Sequence, residues 1–468
     1  MRARHLALAS ITWSAHQLVM RFSLDELSFS TVYWYPDTDL DDLERRFGHE
    51  FVERLFTHAA LFEVNKLVSL RPQTVDLGPY AHHHTEALEQ LWTTVLHKVW
   101  AQWRYENGLP DERPPRFVSA PRASRAAPVR RDRDGGGVLL FSGGGKDSLV
   151  SMKLLERAGI PFASFAYAST AYGPAAPQFR VIDALLDHGT PTRRHRLIVL
   201  DDFLDAPVLE LYGDDLGVRT ITTAETPSSI FAALPLLLAH GYPHAVLGHE
   251  ASANRGNLVW GATGEEVNHQ WGKSVEAERL LDDYVRSELV SDIGVFSALM
   301  PIHDVVIFEL LRSDEAALGA THSCNVAKPW CRRCPKCAYV WLNYRAHLSV
   351  EPVAAMFPED LLEIPENQAF FRDMAGLGEH TPFECIGQVE ETHLALALTE
   401  ARGLTGPRGH ELVARLPQLD VRAVLDTFTR VDVASARIPE AYAPALVTQM
   451  TRAATSCRAR VLACLELA

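Results

Sequence analysis

The sequence predicts an α/β protein built on a doubly wound parallel sheet, and two observations carry that expectation. Val138-Leu139-Leu140-Phe141 is a short apolar run of strand length. It passes through Ser142-Gly143-Gly144-Gly145 into a segment whose Leu149, Val150, Met152, Leu154 and Leu155 share one helical face. Beyond it, strand-like and helix-like segments alternate. Residues 161–168, 197–200 and 244–248 read as strands, and 181–186 and 230–238 as helices. Such alternation gives parallel strands joined by helical crossovers. Ligands of these sheets sit beyond the carboxyl ends of the strands, so Tyr167, Asp201, His249 and Glu250 are site candidates by position alone.

The strand–turn–helix at 138–155 is the best-defined element. Consecutive glycines let the backbone turn sharply and bring its N–H groups against a ligand, while the helix start adds further N–H groups and the positive end of its dipole. The site therefore favours an anion, above all phosphate. A Walker A loop requires Ser or Thr after its lysine, but Asp147 follows Lys146. The dinucleotide pattern G-x-G-x-x-G is absent here too. What remains resembles the SGG-x-DS loop of the ATP pyrophosphatases, which cleave ATP to AMP and pyrophosphate while adenylating a substrate oxygen. This chain carries one glycine more than that pattern, so either the turn is longer by a residue or Gly143 stands where the family has serine. The role of Ser142 depends on which. The resemblance assigns Ser142, Gly143, Gly144, Gly145, Lys146, Asp147 and Ser148 to ATP, with Asp147 as a magnesium ligand. A glycine-rich connection without a ligand is the plain alternative.

The remaining elements follow in chain order. Residues 1–110 read as an α+β N-terminal domain, with strands at 6–13, 18–22 and 29–35 and an amphipathic helix from Glu86 to Trp103. His82-His83-His84 precedes that helix and is expected to be a solvated loop, because three adjacent histidines cannot all face one metal from regular structure. Residues 111–137 are rich in Pro, Arg, Ser and Gly and read as a linker or mobile flap. Its Arg122, Arg125, Arg130, Arg131 and Arg133 lead into the glycine loop. They either assist an anionic substrate or form a solvated charge run. Residues 138–348 are the nucleotide-binding domain, and 349–468 a mainly helical region that serves as a cap or a homodimer surface. The basic start at Met1-Arg2 is followed by an apolar stretch soon broken by Ser14, His16 and Gln17, so a strand is expected there and not a signal sequence.

Two segments are dense in polar groups, Gly248 to Asn257 after a strand and Glu265 to Ser274 before a helix. Surface loops are polar as a rule. Here Asn, His, Glu, Arg and Lys interleave with Gly and Trp, which marks Glu250, Asn254, Arg255, Asn257 and Glu266 as substrate-binding candidates. His249, His269 and Lys273 are candidate acid–base groups. Further on, Cys324-x6-Cys331-x2-Cys334-x2-Cys337 has the spacing of a tetrahedral structural zinc site, with a redox C-x-x-C or an iron–sulfur cluster as alternatives. Lys328, Arg332, Arg333 and Lys336 offset the charge of four thiolates. Cys457 and Cys464 share a helical pattern, and common burial accounts for them.

Composition narrows the partners. A net charge of −14 over 468 residues argues against nucleic acid, which selects a basic footprint. No apolar run reaches membrane-spanning length, and Leu234 to Ala239 is too short, so a cytoplasmic protein is expected.

A loop of this type followed by a four-cysteine cluster resembles the 7-cyano-7-deazaguanine synthases, whose chains are about half as long. Taken whole, the sequence resembles the UDP-N-acetylmuramoyl-L-alanyl-L-glutamate epimerases of peptidoglycan biosynthesis. The likeness rests on Phe141 to Ser148, Gly248 to Asn257, Glu265 to Ser274, Cys324 to Cys337 and Pro382-Phe383-Glu384-Cys385-Ile386-Gly387. It implies ATP and magnesium as reactants, a UDP-muramoyl dipeptide as substrate and inversion of its terminal glutamate. The chemistry is coherent: a glutamate nitrogen held in an amide cannot form a Schiff base, and a free carboxylate makes the adjacent C–H a very weak acid. Adenylation removes that charge and brings the α-proton within reach of a general base. Lys146, Asp147, His249, His269, Lys273 and Cys385 are the catalytic candidates. For Cys385, neighbouring Glu384, Glu390 and Glu391 are expected to raise the thiol pKa and weaken it as a thiolate. A nucleobase- or tRNA-modifying enzyme and a non-catalytic nucleotide sensor are the rival functions.

Overall fold

The computed structural model describes residues 3–123, 126–170, 173–203, 207–213 and 225–466. Arg125, Met1 and Arg2, named above, lie outside the described residues. Among the described residues the strands are β1 (His5–Ser14), β2 (Gln17–Leu24), β3 (Leu27–Trp34), β4 (Thr74–Asp76), β5 (Arg116–Phe117), β6 (Val138–Phe141), β7 (Phe162–Ser169), β8 (Arg194–Asp201), β9 (His244–Glu250), β10 (Leu258–Val259), β11 (Glu266–Val267) and β12 (Gly294–Leu299). Ten of them form one sheet in the order β12-β9-β6-β7-β8-β3-β2-β1-β4-β5, and β10 and β11 make a separate ribbon. The run β12 to β8 is parallel throughout, as expected from the alternation.

The sheet does not stop where the parallel strands end. β3 pairs antiparallel with β8, and β2 and β1 follow as an antiparallel meander. The N-terminal region therefore shares a sheet with the glycine-loop region, and one hydrophobic cluster joins Leu18, Phe56 and Trp92 to Leu139, Ala245 and Leu281. A second cluster on the opposite face joins Val138, Leu140 and Val246 to Leu154, Phe308, Trp341 and Leu394. Alternate residues of β6 enter opposite cores, as the period of a strand requires. β12 is a strand the sequence reading passed over. Its burial is complete on both faces, so Ile293 to Met300 lacks the alternation that marks a half-exposed strand.

Strand order reverses between β6 and β9, since the chain leaves β6 for β7 on one side and returns to β9 on the other. The helices that follow obey this: Lys146–Arg157 packs into one core and Glu225–His240 into the other. A crevice opens at such a reversal beyond the carboxyl ends of the strands. Phe141 and Glu250 are those ends, so the glycine loop and the Gly248–Asn257 segment meet there.

Two expectations are corrected by packing. His83 and His84 are buried, not solvated. His83 Nε2 lies 2.9 Å from Glu53 Oε2, and His84 bridges Ser119 Oγ at 2.9 Å and Glu89 Oε2 at 3.1 Å. Nor is Arg131 part of a solvated charge run, its side chain being 16 % exposed. Arg131 binds the Gly241 carbonyl at 2.7 Å and Arg133 the Asp42 carboxylate at 3.2 Å, both at the amino end of β9, across the sheet from the crevice. Among the described residues no helix is long and apolar enough to cross a membrane. The helices 389–401 and 443–466 occur in the C-terminal region as the pattern predicts.

Candidate active site

The loop is built from its backbone outward. Ser142 continues the strand ladder, its N–H donating to the Phe165 carbonyl at 2.8 Å, and the helix starts at Lys146 with Gly145 as its cap. The turn is thus Gly143 to Gly145, of which Gly143 is exposed and Gly144 buried. Gly144 has a φ of 84°, and any side chain there would collide with the His322 ring, while one at Gly145 would press on Ser323 Oγ. The His322 N–H closes onto the Gly144 carbonyl at 2.9 Å. The glycines therefore let the loop dock against residues 322–323. Ser148 Oγ accepts the Gly143 N–H at 3.1 Å and fixes the turn. Ser142 Oγ and both ring nitrogens of buried His322 have no hydrogen-bond partner among the described residues. Buried polar groups of this kind are normally paired, so a hydroxyl and a neutral imidazole stand beside the loop with hydrogen-bonding capacity unused.

Lys146 is 2 % exposed and sits between two carboxylates, Asp147 Oδ1 at 2.6 Å and Asp304 Oδ1 in a shorter contact. Burial works against its charge, but Asp147, Asp304 and Glu250 outweigh burial and raise its pKa, so the ammonium is permanent. Tyr339 donates to the other oxygen of Asp304 at 3.0 Å. Asp147 is held below the usual carboxylate range: burial opposes this, and Lys146, Lys336 and Lys273 prevail.

A second group of side chains stands beside the first. Lys273 Nζ lies 2.9 Å from Cys385 Sγ, and Lys336 Nζ donates to the Cys385 carbonyl. His269 is anchored through Nδ1 to Gln102 Oε1 at 2.6 Å and stands near enough to the thiol to stabilise its charge. Burial favours the neutral thiol, yet Lys273, His269 and Lys336 hold the Cys385 pKa well below its ordinary value. This overturns the expectation that nearby acids would raise it. Those acids are spent elsewhere: Glu384 on Asn325 at 2.8 Å, Glu390 on Arg255 at 3.2 Å, and Glu391 on the Gln388 N–H at 2.8 Å, where it caps its helix. His249 is held neutral, its pKa pushed down to about 3 by burial and then by Lys273. Asp147, His249, His269, Lys273 and Cys385 are each half-exposed, so the cluster lines an open crevice.

The five substrate candidates are all engaged within the fold. Glu250 turns inward to accept the Ser252 and Ala253 N–H groups, and burial with Asp304 raises its pKa far above the carboxylate range. Asn254 accepts the Val275 N–H at 2.8 Å, and Glu266 the Gly256 N–H at 2.6 Å. Asn257 ties His269 N–H, at 3.0 Å, to the Pro382 carbonyl, at 2.9 Å. Arg255 is paired with Glu390. These residues join the two polar segments to the Pro382–Gly387 stretch and so bring His269, Lys273 and Cys385 together. Behind them opens a cleft of about 650 Å³ lined by Lys98, Asn254, Trp271, His303, Arg430 and Asp432 among others. Asp201 does not join the site; it pairs with Lys66 beside β3.

Sequence reasoning missed Asp304, Tyr339, His322 and Gln102, and assigned Lys336 only to the cysteine cluster. Nothing local marks Asp304, which needs the register of β12 to be found.

The cysteine cluster passes a geometric test for zinc. All four sulfurs lie within 4.8 Å of one another, with Cys324–Cys334 at 3.9 Å and Cys331–Cys337 at 3.8 Å. Zn–S bonds of about 2.3 Å in a tetrahedron put sulfurs about 3.8 Å apart. The N–H groups of Val326, Ala327 and Cys331 point at Cys324 Sγ, at 3.3 to 3.4 Å, as they do around thiolate ligands.

Fold and site together define an α/β protein with a glycine loop opening a helix at the reversal of its sheet, a lysine–thiol cluster near that loop, and a four-thiol centre alongside. Residues 7–176 and 225–298 match the MurL N-terminal domain, and 319–420 match the MurL C-terminal domain. The chain belongs to the MurL family. It is similar to proteins named UDP-N-acetyl-alpha-D-muramoyl-L-alanyl-L-glutamate epimerase from three bacteria. Identity is 31 % with that of Salinispora tropica, over 66 % of this chain and 65 % of that protein. It is 30 % with that of a Micromonospora species, over 77 % and 79 %, and 28 % with that of Xanthomonas oryzae pv. oryzae, over 71 % of each. The chain thus spans slightly under two thirds of the length of the Salinispora protein. No solved structure matches it.

Proposed function

We propose that this protein is an ATP-dependent epimerase of peptidoglycan biosynthesis, inverting the terminal L-glutamate of UDP-N-acetylmuramoyl-L-alanyl-L-glutamate after transferring AMP to its free α-carboxylate. The observation that carries this reading is the facing of two unlike groups across one crevice. A glycine loop at a helix N-terminus, with buried Lys146 at its foot, lies opposite a thiol held among lysines. The first suits phosphates and the second suits proton chemistry beside a carbonyl. The names of the relatives support the same substrate.

In the transfer, a substrate carboxylate oxygen bonds to the α-phosphorus of ATP while the bond to pyrophosphate breaks, and pyrophosphate leaves with the electron pair. The loop N–H groups and Lys146 stabilise charge on the phosphates. Asp147, an ionised carboxylate at the helix start, has the oxygen chemistry that magnesium prefers and is its proposed ligand. Magnesium would supply charge neutralisation there. The mixed anhydride carries no carboxylate charge, so removal of the α-proton gives a single enolate and not a dianion. After the proton returns, water adds to the anhydride, the bond to AMP breaks, and AMP leaves with the electron pair as the carboxylate is restored. Zinc at Cys324, Cys331, Cys334 and Cys337 is proposed as structural, since four thiolates close its coordination.

The test is incubation of the purified chain with ATP, Mg²⁺ and the L-glutamate dipeptide substrate. AMP and pyrophosphate are expected, together with D-glutamate after acid hydrolysis. ADP as the main nucleotide product, or AMP without D-glutamate, contradicts the reading.

A further inference from the structure

Cys385 is a thiol in the crevice whose surroundings are arranged to keep it charged. Its sulfur meets Lys273 Nζ at 2.9 Å, its own carbonyl is clamped by Lys336, and His269 adds to the field that favours the thiolate. Each of these partners is itself fixed. Lys273 belongs to the helical turn Trp271–Lys273, whose N–H donates to the Gln270 carbonyl at 2.7 Å. Gln270 Nε2 in turn donates to the Ile386 carbonyl at 2.9 Å, directly beside the cysteine. Gln102 and Asn257 hold His269 from both its ring and its backbone. Four separate segments, 102, 257, 269–273 and 336, thus converge on residue 385. A structural cysteine needs no cation on its sulfur, and at Cys457, where the thiol meets the Val305 carbonyl, burial pushes the pKa up to about 12.

We propose that Cys385 is one of the two inverting groups, its thiolate taking or returning the glutamate α-hydrogen on one face, with Lys273 and His269 as the residues that position and charge it. This rests on the reading of the protein as an AMP-forming epimerase. In the forward step the C–H pair becomes the enolate pair of the adenylated acyl group, and the proton becomes the S–H of Cys385. A proton drawn from solvent through a second group then returns on the opposite face and re-forms C–H. In the reverse sense Cys385 delivers the proton. No oxidant or covalent adduct is involved.

Sulfur suits this task in this place. The active species of a thiol is the thiolate, and a thiolate paired with an ammonium keeps the crevice near neutral while the α-carbon loses its proton. His249 across the cluster is neutral and lies within the field of Lys273, so it cannot supply the same anionic base.

Two measurements test the assignment. In Cys385→Ala, AMP and pyrophosphate release with the L-glutamate substrate should persist within a few-fold, whereas epimerisation should fall by about 10²–10⁴-fold, the usual weight of a general base. Exchange of the α-hydrogen in heavy water should vanish from one of the two isomers. The second measurement follows alkylation of the Cys385-containing peptide by iodoacetamide, using mass spectrometry on the full chain. The parent rate should be flat from about pH 6 to about pH 8, because the thiol is already ionised. In Lys273→Met the rate should rise roughly tenfold per pH unit toward the ordinary thiol pKa of about 8.5. Cys385→Ala that epimerises at the parent rate, a parent alkylation profile with an ordinary thiol pKa, or a thioester trapped on Cys385 would overturn the proposal. Absence of AMP formation by the parent protein would instead remove the reading of function on which it stands.

Discussion

Two thiol environments lie near each other in this fold, and they are built on opposite principles. At Cys385 one sulfur is surrounded by cations, and the negative charge of a thiolate is welcome. In the 324–337 cluster four sulfurs crowd together, and they divide the burden unequally. The Cys324 pKa falls to about 7 despite burial, because the N–H groups of Ala327, Cys331 and Val326 point at it, while burial and its neighbouring thiols push Cys331 up to about 11. A crowd of thiolates needs a multivalent cation to hold it, whereas a single thiolate beside Lys273 does not. The first arrangement fits structure and the second fits chemistry. Lys336 touches both: it stands between Cys334 and Cys337 in sequence, yet its ammonium reaches the Cys385 carbonyl.

The largest expected effect separates the two environments by stability. Cys334→Ser leaves the thiol cluster one ligand short, and structural zinc sites contribute directly to folding free energy, so a loss of several kcal/mol is expected. Thermal denaturation and yield of soluble protein should register it, and elemental analysis of the parent should give one zinc per chain. Cys385→Ala should instead leave the melting temperature nearly unchanged. Equal destabilisation by both variants would erase the distinction.

Next in size is Asp147→Asn. It keeps the shape of the helix start and removes a charge from both Lys146 and the proposed magnesium site, so AMP formation should fall by about 10²-fold or more. Metal content at the cysteine cluster should stay the same. A variant with parent AMP formation would mean that Asp147 has no part in nucleotide chemistry.

Much of this was legible before the structure, and the remainder was hidden for identifiable reasons. The glycine loop, the helix after it and the parallel strands announce themselves through periodicity and turn residues, which are local properties. The cysteine spacing is equally local. The acidity of Cys385 is not: Glu384, Glu390 and Glu391 lie close in sequence and point away, whereas Lys273, 112 positions earlier in the chain, is 2.9 Å distant. Electrostatics follows space, and space here is set by Asn257, Gln270 and Gln102, polar residues with no signature of their own. For the same reason the hydrogen bonds that engage Glu250, Asn254, Asn257 and Glu266 within the fold, and the pairing of Arg255 with Glu390, could not be read. β12 escaped because a strand buried on both faces has no alternation to show.

The smallest expected effect concerns the lysine shared by both environments. Lys336→Met should retain zinc and lower epimerisation about tenfold through a loosened Cys385 loop, with little change in melting temperature. Elemental analysis and an assay of turnover check it together. Loss of zinc would place Lys336 with the cluster after all.

The central claim is that nucleotide chemistry at the loop must precede proton chemistry at the opposite wall, and deuterium incorporation tests it most directly. The L-glutamate dipeptide substrate is incubated with the parent protein in heavy water, with and without ATP and Mg²⁺, and the glutamate α-position is read by mass spectrometry or proton NMR. Deuterium should appear there only when both nucleotide and magnesium are present, in step with AMP release. Deuterium entering at the same rate without ATP would contradict the account.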